Sequence, residues 1–320
     1  MKKKKNHLKL KIFIIIFITS FITSIKILNK NNKTFNNEEY LRYILSSSNP
    51  YTEVKNKDLS YYLVKGIINF DLKSNPLFSD SKDYTNASDN DEESTVNSDY
   101  IEDPYPDKET TEPLVYIYNT HQLEEYSSLN TEEFNVTPNV MMASYILRER
   151  LYNLGIDAIV EDNNVSEIRN MNGWNYAASY KVTKMLMESA YEKYPSLNYF
   201  VDLHRDSVNK KISTVTIDDK KYAKILFIVG MENKDYKYNL EITEKLNDMF
   251  KTKYPGISRG IYKKQGKGVN GVYNQDFHKN TILIEVGGEE NTIDEVLNTV
   301  IAISEVLSEY IKENGDIVER

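Results

Sequence analysis

The chain is 320 residues long, 40% hydrophobic and formally −8 in net charge. That is enough for one sizeable catalytic domain, and with no basic stripe interleaved with aromatics in the folding part it excludes a nucleic-acid partner. The sequence has no cysteine, which excludes disulfide staples, thiolate zinc ligands and a cysteine nucleophile.

Residues 1–11, MKKKKNHLKLK, are strongly basic, and the following run from Ile12 to Leu28, IFIIIFITSFITSIKIL, is apolar except for Thr, Ser and Lys26. Its length is close to the minimum that spans a bilayer, and Lys26 can snorkel to the far interface. The lysines ahead of it predict a cytoplasmic amino terminus and an exported remainder. A cleaved signal peptide is the competing reading, but no small-x-small site follows the run, so the expectation is a single-pass signal anchor in the cell membrane. Residues 29–112 read as an extracytoplasmic juxtamembrane segment and linker. EEYLRYIL and LSYYLVKGIINF are short amphipathic pieces within it, and the acidic tract ending at Glu112 has too little apolar surface to offset its ordering entropy, which predicts a flexible tether.

From Pro113 to the carboxyl terminus, strand-like and helix-like patterns alternate. PLVYIYN reads as a strand; Pro138 opens a helix that Gly155 stops; IDAIV is a short strand; and residues 174–192 form a second helix. SLNYFV is a buried strand that delivers His204. ISTVTI and YAKILFIVG, separated by Asp218 to Lys221, look like a hairpin. A helix over 236–253, the strand TILIE and a helix from Asn291 to Lys312 complete residues 113–320. The alternation predicts a single α/β catalytic domain, with a mainly parallel twisted sheet flanked by helices on both faces.

Of four histidines, His121 and His204 each follow an apolar run, at the strand ends where α/β sheets carry ligand-binding chemistry. A catalytic zinc ion takes nitrogen and oxygen donors at about 2.0–2.2 Å and keeps one position open, a need that two histidines and a glutamate meet. The third donor is Glu124, in an HxxE pair with His121, or Glu125, since one residue of register decides between them. Asp202 lies two residues from His204 and so shares its face of the strand. It either orients the imidazole or is a satisfied polar residue at a strand end. Glu285, ending an apolar strand, suits a general base, and Gly287 and Gly288 allow close backbone approach or form a tight turn. Arg205 either binds substrate charge or pairs with Asp202, Asp206 or Glu285 as scaffold. Thr292 and Glu295 form a capping box. His278 is a spare loop histidine, and most of the 25 tyrosines are packing or surface residues.

Taken in order behind an N-terminal anchor and a polar linker, VYIYNTHQLEEY, VDLHRDS, YNQDF and ILIEVGGEENTIDEV resemble the stage II sporulation protein P family of endospore-forming bacteria over residues 113–310. The resemblance implies an amidase-3-like fold and a zinc-dependent N-acetylmuramoyl-L-alanine amidase. It also implies that His121 and His204 are zinc ligands, that Glu285 is the catalytic carboxylate, and that Glu124, in the acidic position of TH-x-x-E, is the third ligand. Arg205 is carried as a second catalytic candidate. It further implies peptidoglycan degradation during forespore engulfment, in the space between mother cell and forespore, with stage II sporulation proteins D and M as partners and cross-link cleavage as an associated activity. The alternative is a peptidoglycan-binding or partner-recruiting module whose metal site is structural or vestigial and closed by a fourth ligand, for which His278 is the candidate.

Overall fold

The computed structural model describes residues 36–48, 98–106, 110, 112–131 and 135–315. The basic segment, the apolar run at 12–28 and most of the linker lie outside the described residues, among which no helix is long and apolar enough to cross a membrane.

Six strands form the central sheet: β1 (Val115–Tyr118), β2 (Ala158–Val160), β3 (Tyr199–Asp206), β6 (Ile225–Gly230), β7 (Ser258–Lys264) and β8 (Thr281–Gly288). Their order is β2-β1-β3-β8-β6-β7. The first four run parallel, whereas β6 pairs antiparallel with β8 and β7 runs parallel to β6. The sheet is therefore mainly parallel, as expected, with its last two strands reversed. The expected hairpin is smaller than the sequence suggests. A short helix α5 (Lys210–Ser213) leads into its arms, β4 (Thr214–Ile217) and β5 (Lys220–Ala223), and β6 leaves it to join the main sheet. Asp218 and Asp219, both at positive φ, make the two-residue turn that matches strand twist.

Alternation along each strand separates two layers. Val115, Ile117, Val201, Leu203, Ile282, Ile284 and Val286 point into the main core, with α2 (Val140–Asn153), α6 (Tyr236–Lys253) and α7 (Ile293–Glu313). Tyr116, Tyr118 and Phe200 point the other way, onto Met187 of α4 (Ser179–Lys193). The Asn139 side chain caps α2, and Thr292 with Glu295 forms the expected capping box of α7. The helix read over 174–192 is divided. A separate helix α3 (Val165–Met171) precedes it, capped by Asn164, and a 3-10 turn at Tyr176–Ala178 leads into α4.

The linker reading needs correction where the chain is described. EEYLRYIL lies in helix α1 (Asn37–Ser48), whose Tyr40, Leu41, Ile44 and Leu45 are buried in the main core. Residues 98–106 form a strap rather than a tether. Ile101 is fully buried, and Asp103 pairs with the buried Arg148 at 2.9 Å. A few apolar and charge-paired contacts order this acidic stretch even though its mean composition is that of a solvated segment.

Candidate functional site

The carboxyl ends of β1, β3 and β8 meet on the sheet face opposite the main core. His204 stands in register with Glu285 across β3 and β8, and Tyr118 with Asp202 across β1 and β3. His121 follows β1 by three residues, and its ring comes to rest beside that of His204.

Asp202 organises the group. It is fully buried; Oδ1 and Oδ2 accept the amide and hydroxyl of Thr120 at 3.0 and 2.7 Å, and Oδ1 lies 3.1 Å from His204 Nε2. One carboxylate thus holds the turn that carries His121 and faces the far side of the His204 ring, which favours the orienting role. Asn119 adds a second tie, donating to Leu203 O at 2.6 Å while its own oxygen accepts from Ser144 on α2. His204 turns its other nitrogen, Nδ1, toward Glu124 Oε2 at 3.4 Å. The His121 ring is edge-on to His204, with centroids 5.3 Å apart, and lies flat against Tyr176 at 4.5 Å. Arg169 lies over the Tyr176 ring, 5.1 Å from its centre.

The two adjacent glutamates are told apart. Glu124 Oε2 faces His204 and accepts the Arg205 amide at 2.9 Å, whereas Glu125 Oε1 turns to the strap and accepts the Ser98 amide at 2.6 Å. Arg205 does not form the scaffold pairs considered from sequence. Its Nε donates to Glu125 O at 3.1 Å and its Nη1 to Ser207 Oγ, while Asp206 pairs with Arg259. Gly288 meets the close approach that its sequence position suggests, since a Cβ there would strike the Val208 carbonyl, and Gly287 adopts a positive φ of 72°.

Burial alone would depress the His204 pKa, but Asp202 and Glu124 outweigh it and hold the ring well above ordinary histidine. Burial would raise Glu124, and the facing His204, His121 and Arg205 bring it below the usual carboxylate range. Glu285 is pushed up to about 7, chiefly by burial, with His204 opposing and Glu124 reinforcing the shift. Its Oε2 is buried without a hydrogen-bond partner.

Among the described residues no group of three His, Asp or Glu side chains is placed to hold a metal ion. Two of the candidate donors nevertheless have the spacing that a shared zinc ion asks for. Two donors about 2.1 Å from one tetrahedral ion lie about 3.4 Å apart, the separation seen between Glu124 Oε2 and His204 Nδ1. His278 is not a fourth donor. It precedes β8 at the opposite end of the strand, where its Nδ1 accepts the Asn280 amide and its ring packs beside Phe200.

Sequence reasoning did not single out Thr120, Tyr176 or Tyr180. The last two are spaced as one helical face at the entry to α4, and both rings stand against His121, the second edge-on at 5.6 Å.

Comparison with known proteins gives four findings. Stage II sporulation protein P of Bacillus subtilis strain 168 is 35% identical over 212 residues, covering 64% of this chain and 53% of that protein, so the chain matches about half of its relative's length. Cwp6 from Clostridium difficile aligns over 62% of this chain and 30% of its own, at 11% identity and a TM-score of 0.39. A metallo-carboxypeptidase from Burkholderia cenocepacia aligns over 66% of this chain and 60% of its own, at 10% identity and a TM-score of 0.29; scores this low carry no argument about either fold or chemistry. The family model for stage II sporulation protein P matches residues 23–308, nearly the whole sequence, and with it the chain belongs to the stage II sporulation protein P family.

Proposed function

We propose that this chain is a peptidoglycan hydrolase of sporulation, a zinc-dependent N-acetylmuramoyl-L-alanine amidase that cleaves the amide between the lactyl group and L-alanine. The observation that carries the reading is the convergence of Glu124, His204 and His121 beside Glu285, with the first two separated as ligands of one tetrahedral ion would be. When bound, zinc supplies Lewis acidity that polarises a carbonyl and acidifies a water. The protein's own groups do the rest. The Asp202 charge, 3.1 Å from Nε2, orients the His204 ring electrostatically, leaving Nδ1 toward Glu124. Tyr176 fixes the plane of His121. Glu285 takes a proton from the attacking water and returns it to the leaving amine, a task suited to a carboxyl with a pKa of about 7 and one oxygen without a partner. Arg205 positions the glutamate loop through Glu125 O.

In this reading the apolar run at 12–28 anchors the enzyme in the cell membrane, with the catalytic domain between mother cell and forespore. Peptidoglycan is the substrate, and stage II sporulation proteins D and M are the partners. Cross-link cleavage by the same site is an additional activity within the proposal.

Mass spectrometry of digested peptidoglycan tests it. Free stem peptides are expected from the zinc-loaded protein, and Glu285→Gln should lower turnover by about 10²–10⁴-fold. Activity unchanged by both chelation and Glu285→Gln would overturn the assignment.

A further inference from the structure

The loop that presents Glu124 is gripped from two directions. On the sheet side, Arg205 donates its amide to Glu124 Oε2 at 2.9 Å and its Nε to Glu125 O at 3.1 Å. On the strap side, Ser98 donates its amide to Glu125 Oε1 at 2.6 Å and its hydroxyl to Leu123 O at 3.2 Å, bracketing Glu124 between its two neighbours. The strap is itself fixed to α2 and its cap. Asn139 donates to Asp99 O at 3.0 Å, Tyr145 to Ile101 O at 3.2 Å, and Arg148 holds Asp103 with a two-pronged fork. Glu125 also forms an antiparallel bridge with Asn139, so the loop is extended where the choice between the two glutamates is made. In extended backbone, adjacent side chains point to opposite sides, and a carboxylate fixed outward at Glu125 fixes the one at Glu124 inward.

We propose that Glu125 is a positioning residue. By accepting the Ser98 amide, it sets the rotation of the loop that aims Glu124 at His204, so the segment preceding the catalytic sheet completes the site. The inference rests on the reading of Glu124 and His204 as metal donors. Two chemically alike neighbours would otherwise compete for the same position, and the strap removes that ambiguity by engaging one of them.

The test uses the full chain with Glu125→Ala and Glu125→Gln, because glutamine keeps the oxygen that accepts from Ser98. Zinc affinity, measured by chelator competition, should fall about 10–100-fold in Glu125→Ala and stay within about threefold of the parent in Glu125→Gln. Hydrogen exchange of the Arg205 amide, which Glu124 protects, should accelerate in Glu125→Ala alone. If Glu125→Ala lowers the thermal midpoint while zinc affinity and Arg205 exchange keep parental values, Glu125 is merely structural and the proposal is overturned. Equal losses in both variants overturn it too. A parent that binds no zinc, with Arg205 exchange responding as described, removes the metal reading and leaves the positioning role standing.

Discussion

The two faces of β3 and β8 are built from alternating residues of the same two strands and do opposite things. Val201, Leu203, Ile282, Ile284 and Val286 enter a closed apolar layer under α2, α6 and α7, while Asp202, His204 and Glu285 stand one residue away on the other side. A strand has a side-chain period of two, so the packing of the apolar set fixes the register and therefore the aim of every polar group. The polar face is held by the apolar one, and it costs stability. Glu285 is buried with an elevated pKa, and His204 sits between two carboxylates.

Three substitutions probe this division, from the largest expected effect to the smallest. Leu203→Ala opens a hole on the apolar side next to His204 and should cost about 2–5 kcal/mol in denaturant unfolding. A loss much smaller than this would mean that β3 is not locked by its buried face. Glu285→Gln should do the reverse in chelator. The folded state of the parent holds a proton on Glu285 up to about pH 7, well above the ordinary carboxyl value of 4.5, so between those values it binds more protons than the unfolded chain and stability falls as pH rises. The variant escapes that loss. It should unfold at a higher temperature than the parent at pH 8, by up to about 3 kcal/mol of stability, and match it near pH 4. No gain at pH 8 would show that Glu285 ionises without penalty. Asp202→Asn keeps the shape but weakens the hold on His204 and Thr120, and should lower zinc affinity about 10–100-fold with little change in far-ultraviolet circular dichroism. Unchanged affinity would reduce Asp202 to a satisfied strand-end residue.

Much of this division was legible in the sequence. Apolar runs ending in His204 and Glu285, and one ending just before His121, fix their placement because parallel strands bring like ends together. Thr292 and Glu295 announced the start of α7, and the periodic segments at 140–153 and 236–253 are helices. Other elements carried no such signal. SRGIYKK, which forms β7, is a half-exposed edge strand with an internal glycine and five charged or hydroxyl-bearing residues, so it shows neither an apolar run nor clean alternation. The reversal of β6 depends on its pairing with β8, a contact between segments nearly sixty residues apart. Which of Glu124 and Glu125 faces His204 depends on contacts with Ser98 and Arg205, neither of which is near the pair in sequence. The strap escaped because a few anchored residues, Ile101 and Asp103 among them, outweigh the average character of their surroundings.

Arg148 makes the question of where this folding unit begins an electrostatic one. Its guanidinium is buried on α2, and besides the adjacent Glu149 it is neutralised by Asp103, ten residues ahead of the first recognisable strand-like run. A boundary drawn at Pro113 would leave that cation under-compensated in the interior, at about 3–5 kcal/mol, a large share of what holds an ordinary domain folded. In any exchange of segments between relatives, Asp103 must therefore travel with the sheet.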